Sequence, residues 1–470
     1  MILPLVEQRT RAWSRLREIL GFAQVPHSAQ SLKQLTLQGT AWTLAGFGTS
    51  QMIRLVGNLL LTRLLFPELF GFMALANIFV GALNLLSDFG IGVSIVQNER
   101  GLEPEFLNTA WTLQVLRGAI LWLASFALAI PLAQFYGDPR LQAVIPFVAL
   151  SAVLGGFNAT SLYVLQRELK LRSLTLLELG SQVSAMIVML VWAWLSPGVW
   201  ALVAGGIVAA IVELVGSHRL RAGPRNRFAW DRSALRQLIH FGKWIFLGTA
   251  IMFLAEQIDR LILGKIISLE LLGIYGIALV FAEVPRQVTL AISGRVLFPA
   301  LSRLRDLPRH ELRERILHNR RLIVFVLAAG VALFASFGDV LIRTLYDLRY
   351  WQAAWMLPLL ALGLWPRVLC NTIEPSLFAI GMPKYSSLGQ LARFVFTLSG
   401  ILLGFAWFGL VGALAAVALN DLAYYMIINI GLWRQGLSGL KQDFQATALF
   451  AAVILLLLWS RTLAGIPFHV

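Results

Sequence analysis

The sequence predicts an all-α polytopic membrane protein of about 13 transmembrane helices, arranged as two six-helix lobes related by an internal repeat plus a C-terminal helix. Three observations predict it. Apolar residues fill 58% of the 470 positions and charged residues only 13%, with a mean hydropathy of +0.74, whereas a soluble domain carries about 25% charged residues. Apolar runs recur roughly every 30 residues, each long enough to cross the hydrocarbon core as a helix. The two halves also match when shifted by 202 residues: Trp42 meets Trp244, Gly46 meets Gly248, Leu59 and Leu61 meet Leu261 and Leu263, Arg63 meets Lys265, Glu68 meets Glu270, and Gly71 meets Gly273. Runs such as 448–459 are apolar on every face, which excludes the alternating pattern of an outer-membrane barrel.

The segments follow in order. Residues 1–38 form a basic cytoplasmic stretch in which Arg9, Arg11, Arg15 and Arg17 interleave with Ala12, Trp13, Leu16, Ile19 and Leu20. That spacing fits an amphipathic helix on the membrane surface, and the lack of an apolar core excludes a cleavable signal peptide. The first lobe, 39–217, holds expected spans at 41–65, 72–96, 109–135, 141–165, 174–195 and 199–217. A linker at 218–243 carries seven Arg or Lys together with Gly223 and Pro224. The second lobe, 244–433, holds spans at 244–267, 271–297, 322–346, 353–380, 386–407 and 408–432. A further span at 446–463 belongs to the C-terminal segment 434–470. Two lobes of six spans share one orientation, so they would be related by an axis along the membrane normal with a cavity between them.

About 26 Lys and Arg fall on the side of the N-terminus and about five on the other. Basic loops resist translocation, so the N-terminus is expected in the cytoplasm of a cell whose inner membrane holds the chain. The same asymmetry accounts for the net charge of +15 without nucleic acid as a partner. Cys370 is the single cysteine, and the six histidines are scattered without metal-ligand spacing. No cofactor and no metal site is expected. No Gly-x-x-x-x-Gly-Lys-Ser/Thr loop, Gly-x-Ser-x-Gly elbow or His-Glu-x-x-His helix occurs, and the loops are too short for a catalytic domain. A transporter is expected rather than an enzyme.

Ionisable side chains at membrane depth cost about 2.5–3.5 kcal/mol on insertion scales and therefore face a bundle interior or a watery cavity. Here they include Arg54, Asp88, Arg117, Glu256, Asp259, Arg260, Glu283, Arg286, Arg295, Arg343, Arg367, Glu374, Arg393 and Asp421. Arginine dominates, and guanidinium suits bidentate contact with phosphate. Arg54, Arg117, Arg286 and Arg367 are therefore the candidate substrate-binding residues of a cationic cavity. Arg295, Arg343 and Arg393 lie near span ends, where snorkelling to an interface is the simpler reading. Asp88, Glu256, Asp259 and Glu374 are candidates for binding a coupling ion or proton. Glu256 and Arg260 stand four apart on one helix face, so a self-neutralised structural pair is the alternative. Gly90, Gly92, Pro285, Pro366 and Pro375 mark spans that can bend or unwind around a cavity.

The string Ser87-Asp88-Phe89-Gly90-Ile91-Gly92 followed by Ile95-Val96-Gln97 resembles the matching stretch of bacterial polysaccharide transporters. So do Leu272-Gly273-Ile274-Tyr275 and Val296-Leu297-Phe298-Pro299-Ala300-Leu301-Ser302-Arg303-Leu304. The resemblance, from Gln38 to about Trp433, is to the oligosaccharide flippases called Wzx-type or PST. Their superfamily also holds multidrug extruders and the lipid II flippase. The resemblance implies a flippase of undecaprenyl-diphosphate-linked oligosaccharide, with the glycan and diphosphate in a cationic cavity and the polyprenyl tail in lipid. It implies service to capsule, O-antigen (lipopolysaccharide) or exopolysaccharide synthesis, with membrane lipids, a polysaccharide polymerase and a chain-length regulator as partners. It places no catalytic residue. Many relatives have fourteen spans, one more than expected here. A cation-coupled multidrug antiporter would share the architecture but needs an acidic, aromatic site. A membrane-embedded glycan-polymer enzyme would need acids and bases on a sizeable loop, where only Asp138, Asp347, Arg140 and Arg349 are on offer.

Overall fold

A computed structural model of the chain describes residues 27–86, 90–220, 222–298, 301, 304 and 307–465. Among these residues every regular element is helical. The amphipathic helix expected at the extreme N-terminus lies largely outside them. The first half contains α1 (His27–Leu64), α2 (Pro67–Leu86), α3 (Ile91–Gln97), α4 (Pro104–Tyr136), α5 (Arg140–Gly156), α6 (Ser161–Arg167), α7 (Leu171–Leu195) and α8 (Val199–Arg219). The second contains α9 (Arg232–Ile266), α10 (Leu269–Ala282), α11 (Val284–Ile292), α12 (Arg309–Leu345), α13 (Ala353–Gly363), α14 (Trp365–Ile373), α15 (Pro375–Ala379), α16 (Lys384–Arg434) and α17 (Leu440–Leu463).

Local chemistry sets the boundaries. The Asp231 side chain accepts hydrogen bonds from the backbone N–H groups of Ser233 and Ala234 and so starts α9. Ser268 does the same for α10 through the N–H of Leu271. Pro285, Pro366 and Pro375 sit in the first turns of α11, α14 and α15. Proline has no N–H to give to the preceding turn, and the helix restarts there, as the sequence led one to expect. Gly90, at φ 61°, precedes the start of α3, and the fourth span is bent by 63° between α5 and α6.

Nine helices among the described residues are long and apolar enough to cross a membrane, ten with the bent pair α5 and α6. Thirteen is reached only by also counting the more polar α1 and α9, and by dividing α16. That division is real in the backbone. At Gly409 the 51-residue α16 takes φ 61° and ψ −144°, a conformation that glycine alone adopts freely. A Cβ on Gly404 would lie 2.4 Å from the Gly412 carbonyl oxygen, so the two arms fold back against each other as an antiparallel hairpin. The turn falls where the sequence separates 386–407 from 408–432.

The repeat is visible as a contact. A Cβ on Gly71 of α2 would lie 1.9 Å from the Leu269 carbonyl oxygen, and one on Gly273 of α10 would lie 1.9 Å from the Pro67 carbonyl oxygen. A shift of 202 residues exchanges the two contacts, so the interface is self-complementary and the halves meet about a pseudo-twofold axis there. Leu75 with Leu263, Leu272 and Tyr275 continue the seam as buried core. The C-terminal helix α17 is fastened into the second half by two buried ion pairs with α12. Arg320 meets Asp443 at 2.6 Å, and the Arg461 guanidinium donates to Asp339, with one bond at 2.7 Å. The Trp365 and Phe450 rings stack 4.5 Å apart beside them.

Candidate functional site

In the second half, α9, α10, α11, α13 and both arms of α16 surround a cavity of about 210 Å³. Its charged lining is Glu256, Asp259, Arg260, Glu283, Arg286, Arg393 and Asp421. Six residues along α9 separate Asp259 from Lys265 near the helix end, about 9 Å, so the cavity lies well inside the bundle from that end. The Arg286 guanidinium donates to Glu283 and contacts Glu256 at 3.4 Å. Arg393 meets Asp421 at 3.1 Å and Asn420 at 3.4 Å. Both partners of that pair are largely shielded, so the snorkelling expected for Arg393 is replaced by an internal ion pair. Arg260 donates to Gln257 at 2.8 Å. The pairing of Glu256 with Arg260 expected along the helix therefore gives way to contacts across helices, because Arg286 approaches Glu256 from α11.

Two carboxylates here are held by phenols. The Tyr275 hydroxyl donates to Asp259, and the Tyr424 hydroxyl to Glu374. Arg367 lies behind the cavity, 5% exposed, with its guanidinium 4.0 Å over the Tyr424 ring. Its Nε and Nη1 have no hydrogen-bond partner among the described residues. Four guanidinium groups, at 260, 286, 367 and 393, thus stand among five carboxylates, at 256, 259, 283, 374 and 421. The expectation of a simply cationic chamber is corrected for this half: bilayer depth demands compensation for each buried charge, and carboxylates supply it.

The first half has a separate pocket of about 480 Å³ lined by Gly90, Ile91, Gly92, Val93, Val96, Gln97, Gln114, Arg117, Tyr163 and Gln166. Three amides, one phenol and one guanidinium give it a different chemistry. Arg117 donates to the Asn84 carbonyl at 2.6 Å, near the end of α2. Asp88 lies outside the described residues. Arg54 is exposed on α1, on the helix side away from the apolar groove formed by Met52, Val56 and Leu60 with α7. Among the described residues, Arg117 lines the first-half pocket and Arg286 the second-half cavity, while Arg54 stands on α1 and Arg367 against Tyr424, so the four arginines divide between the halves. Sequence reasoning passed over Glu178 and Glu213, although both lie inside expected spans; Glu213 accepts from Asn158 at 3.1 Å. Listing every ionisable residue within 174–195 and 199–217 would have found them. Arg343, near the end of α12, stacks 4.7 Å over Trp351.

The two halves touch at both ends of the bundle: the start of α9 meets the first half, where Asn98 donates to Gln237 at 3.0 Å and Arg100 to Ser233 at 2.8 Å, and the other end carries the seam. Besides the Gly71 and Gly273 contact, Tyr350 donates to the Leu65 carbonyl at 3.2 Å and Tyr136 to the Leu261 carbonyl at 3.0 Å. Nearer the cavities, Gln51 of α1 donates to Gln287 of α11.

The family described as polysaccharide biosynthesis protein matches residues 60–354. The chain belongs to that family. Among its relatives, the lipopolysaccharide biosynthesis protein WzxC of Escherichia coli (strain K12) is 25% identical over 277 residues, covering 59% of this chain and 56% of that protein. The succinoglycan biosynthesis transport protein ExoT of Rhizobium meliloti (strain 1021) is 26% identical over 350 residues, covering 73% and 69%. The match thus spans little more than half of WzxC and about two thirds of ExoT. Among solved structures, the lipid II flippase MurJ in an inward closed conformation superimposes with a TM-score of 0.73 at 13% identity, covering 91% of this chain and 94% of that one. An inward-facing multidrug resistance MATE family transporter gives 0.63 at 14% identity, covering 85% and 95%. These likenesses show the fold. This member of the polysaccharide biosynthesis protein family is a helical membrane protein of transporter architecture.

Proposed function

We propose that the chain flips undecaprenyl-diphosphate-linked oligosaccharide across the bacterial inner membrane by alternating access, for surface or extracellular polysaccharide. The observation that carries the reading is a pair of polar cavities, one in each half of a helical membrane bundle. A diphosphate needs guanidinium groups in a low-dielectric setting, and Arg286 and Arg393 line the second-half cavity. Sugar hydroxyls need amides and phenols, and Gln97, Gln114, Gln166 and Tyr163 line the first-half pocket. The tail stays in lipid, where it costs nothing to leave. The helices α9 and α12 start beside the basic stretches at Arg232 and Arg309 and end at the seam of Gly71 and Gly273, so on this reading the seam end is periplasmic and the basic end cytoplasmic.

One observation favours a second reading. Five carboxylates and the Tyr275 and Tyr424 phenols in one half also suit an organic cation. Vesicles holding the purified protein separate the two readings. The flippase reading expects labelled polyprenyl-diphosphate oligosaccharide, inserted in one leaflet, to reach the other faster than in protein-free vesicles, with no pH-driven uptake of ethidium. Ethidium uptake with unchanged lipid movement would overturn it in favour of the antiporter.

A further inference from the structure

The repeat residues Arg63 and Lys265, which line neither cavity described above, sit at equivalent ends of α1 and α9 and do the same thing in opposite directions. Arg63 Nη2 donates to the carbonyl of Leu345, the last residue of α12, at 3.2 Å. Lys265 Nζ donates to the carbonyl of Phe135, the next-to-last residue of α4, with its ammonium 4.8 Å over the Phe135 ring. Leu345 and Phe135 are themselves equivalent, since Phe135-Tyr136-Gly137-Asp138-Pro139-Arg140 corresponds to Leu345-Tyr346-Asp347-Leu348-Arg349 with one residue fewer. Each half therefore supplies a cation that caps the C-terminus of the third long helix of the other half. A cation is favoured there by the unsatisfied carbonyl groups and the negative end of the helix dipole.

The loops that follow are built alike. Arg140 is held by both Asp138 carboxylate oxygens, at 2.6 Å for the closest contact, and Arg349 by Asp347 at the same distance. Arg349 then reaches across the seam to the carbonyl groups of Thr62 and Arg63, at 2.9 and 3.2 Å, so the C-terminus of α1 is capped in return.

We propose that Arg63 and Lys265 form a reciprocal latch that holds the halves together at this end and must release for the cavities to face it. The proposal rests on the alternating-access reading. Both cations are exposed, which keeps each contact weak enough to break in every cycle and makes the pair sensitive to salt. Losing both caps should shift the balance between closed and open states about threefold to thirtyfold.

The test uses the full-length chain with Cys370→Ala and a reporter, Leu59→Cys, on the part of α1 packed against the second half. A membrane-impermeant maleimide is applied from the latch side in oriented vesicles. Arg63→Gln with Lys265→Gln is expected to raise the labelling rate about threefold to thirtyfold. The conservative pair Arg63→Lys and Lys265→Arg should restore the slow rate, which separates release from misfolding, and high salt should raise the rate of the unaltered latch. Gly71→Leu, which forces the seam apart, is the reference for an open end. If Gly71→Leu labels fast and the Gln pair labels like the parent, the latch is overturned while alternating access stands. If neither labels faster, the alternating-access reading fails with it.

Discussion

Replacing Arg286 separates two roles that the structure superimposes on one side chain. Its guanidinium donates to Glu283, contacts Glu256 at 3.4 Å, and is 17% exposed to the cavity. Arg286→Gln leaves two carboxylates facing each other at membrane depth, and one ionised group there costs about 2.5–3.5 kcal/mol. That alone would lower the amount of folded protein several-fold. The double variant Arg286→Gln with Glu283→Gln removes one charge of each sign, so abundance should return to near the parental level. Transport should not return: a charge-assisted contact is worth about 1.5–3 kcal/mol, or about 10-fold to 150-fold in affinity for the anionic substrate. The assay is polysaccharide export in a deletion host, normalised to the amount of protein in the membrane. Normal export by the double variant would show that Arg286 only balances Glu283, and the argument from guanidinium to diphosphate would fail.

Other consequences can be measured independently. Arg320 and Asp443 are 1% and 3% exposed, so Arg320→Met or Asp443→Leu alone should cost about 3–5 kcal/mol while the double variant recovers most of it; additive losses of thermal stability in detergent would contradict a direct pair. Gly273→Ala should abolish export, because its Cβ would meet the Pro67 carbonyl oxygen at 1.9 Å, whereas Gly276→Ala, with open space around it, should export normally. Equal behaviour of the two variants would remove the case for close backbone approach at the pseudo-axis. The hydrogen bonds from Arg349 hold the Asp347 carboxyl below the usual carboxylate range. A depressed carboxyl contributes stability that is present above its unfolded value of about 3.9 and is lost as pH falls through the folded value. The closed end should thus stay insensitive between about pH 5 and 8 and loosen only in stronger acid. Asp347→Asn should weaken that acid response in the labelling assay, and Asp347→Asn with Asp138→Asn, its equivalent held by Arg140, should abolish it; an unchanged response of the double variant would assign it elsewhere.

Much of the architecture was legible before any coordinates. Apolar runs declare helices in lipid because the backbone has no other way to satisfy its polar groups there, and Gly71 with Gly273 and Arg63 with Lys265 declared a repeat whose members turned out to touch across the seam. The prolines at 285, 366 and 375 announced the broken helices. Partner choice was not legible. Glu256 meets Arg286, thirty residues along the chain on another helix, and not Arg260 on its own, a relation set by how the helices pack and rotate. Arg367 lies against Tyr424, fifty-seven positions away, for the same reason. Arg461, in the last turn of the last helix, drew no notice in the sequence, yet it is 2% exposed and bonded to Asp339. Charge type and depth can be read from the chain, whereas compensation across helices depends on the assembled bundle.

The central claim is that a lipid-linked anionic glycan enters the cavity of the second half. A photoreactive amino acid at Gln287, which lines that cavity, should capture isotopically labelled polyprenyl-diphosphate oligosaccharide in native membranes, while the same group at Trp459, 64% exposed on the outer face of α17, should not. Capture at Trp459 with none at Gln287 would contradict the account.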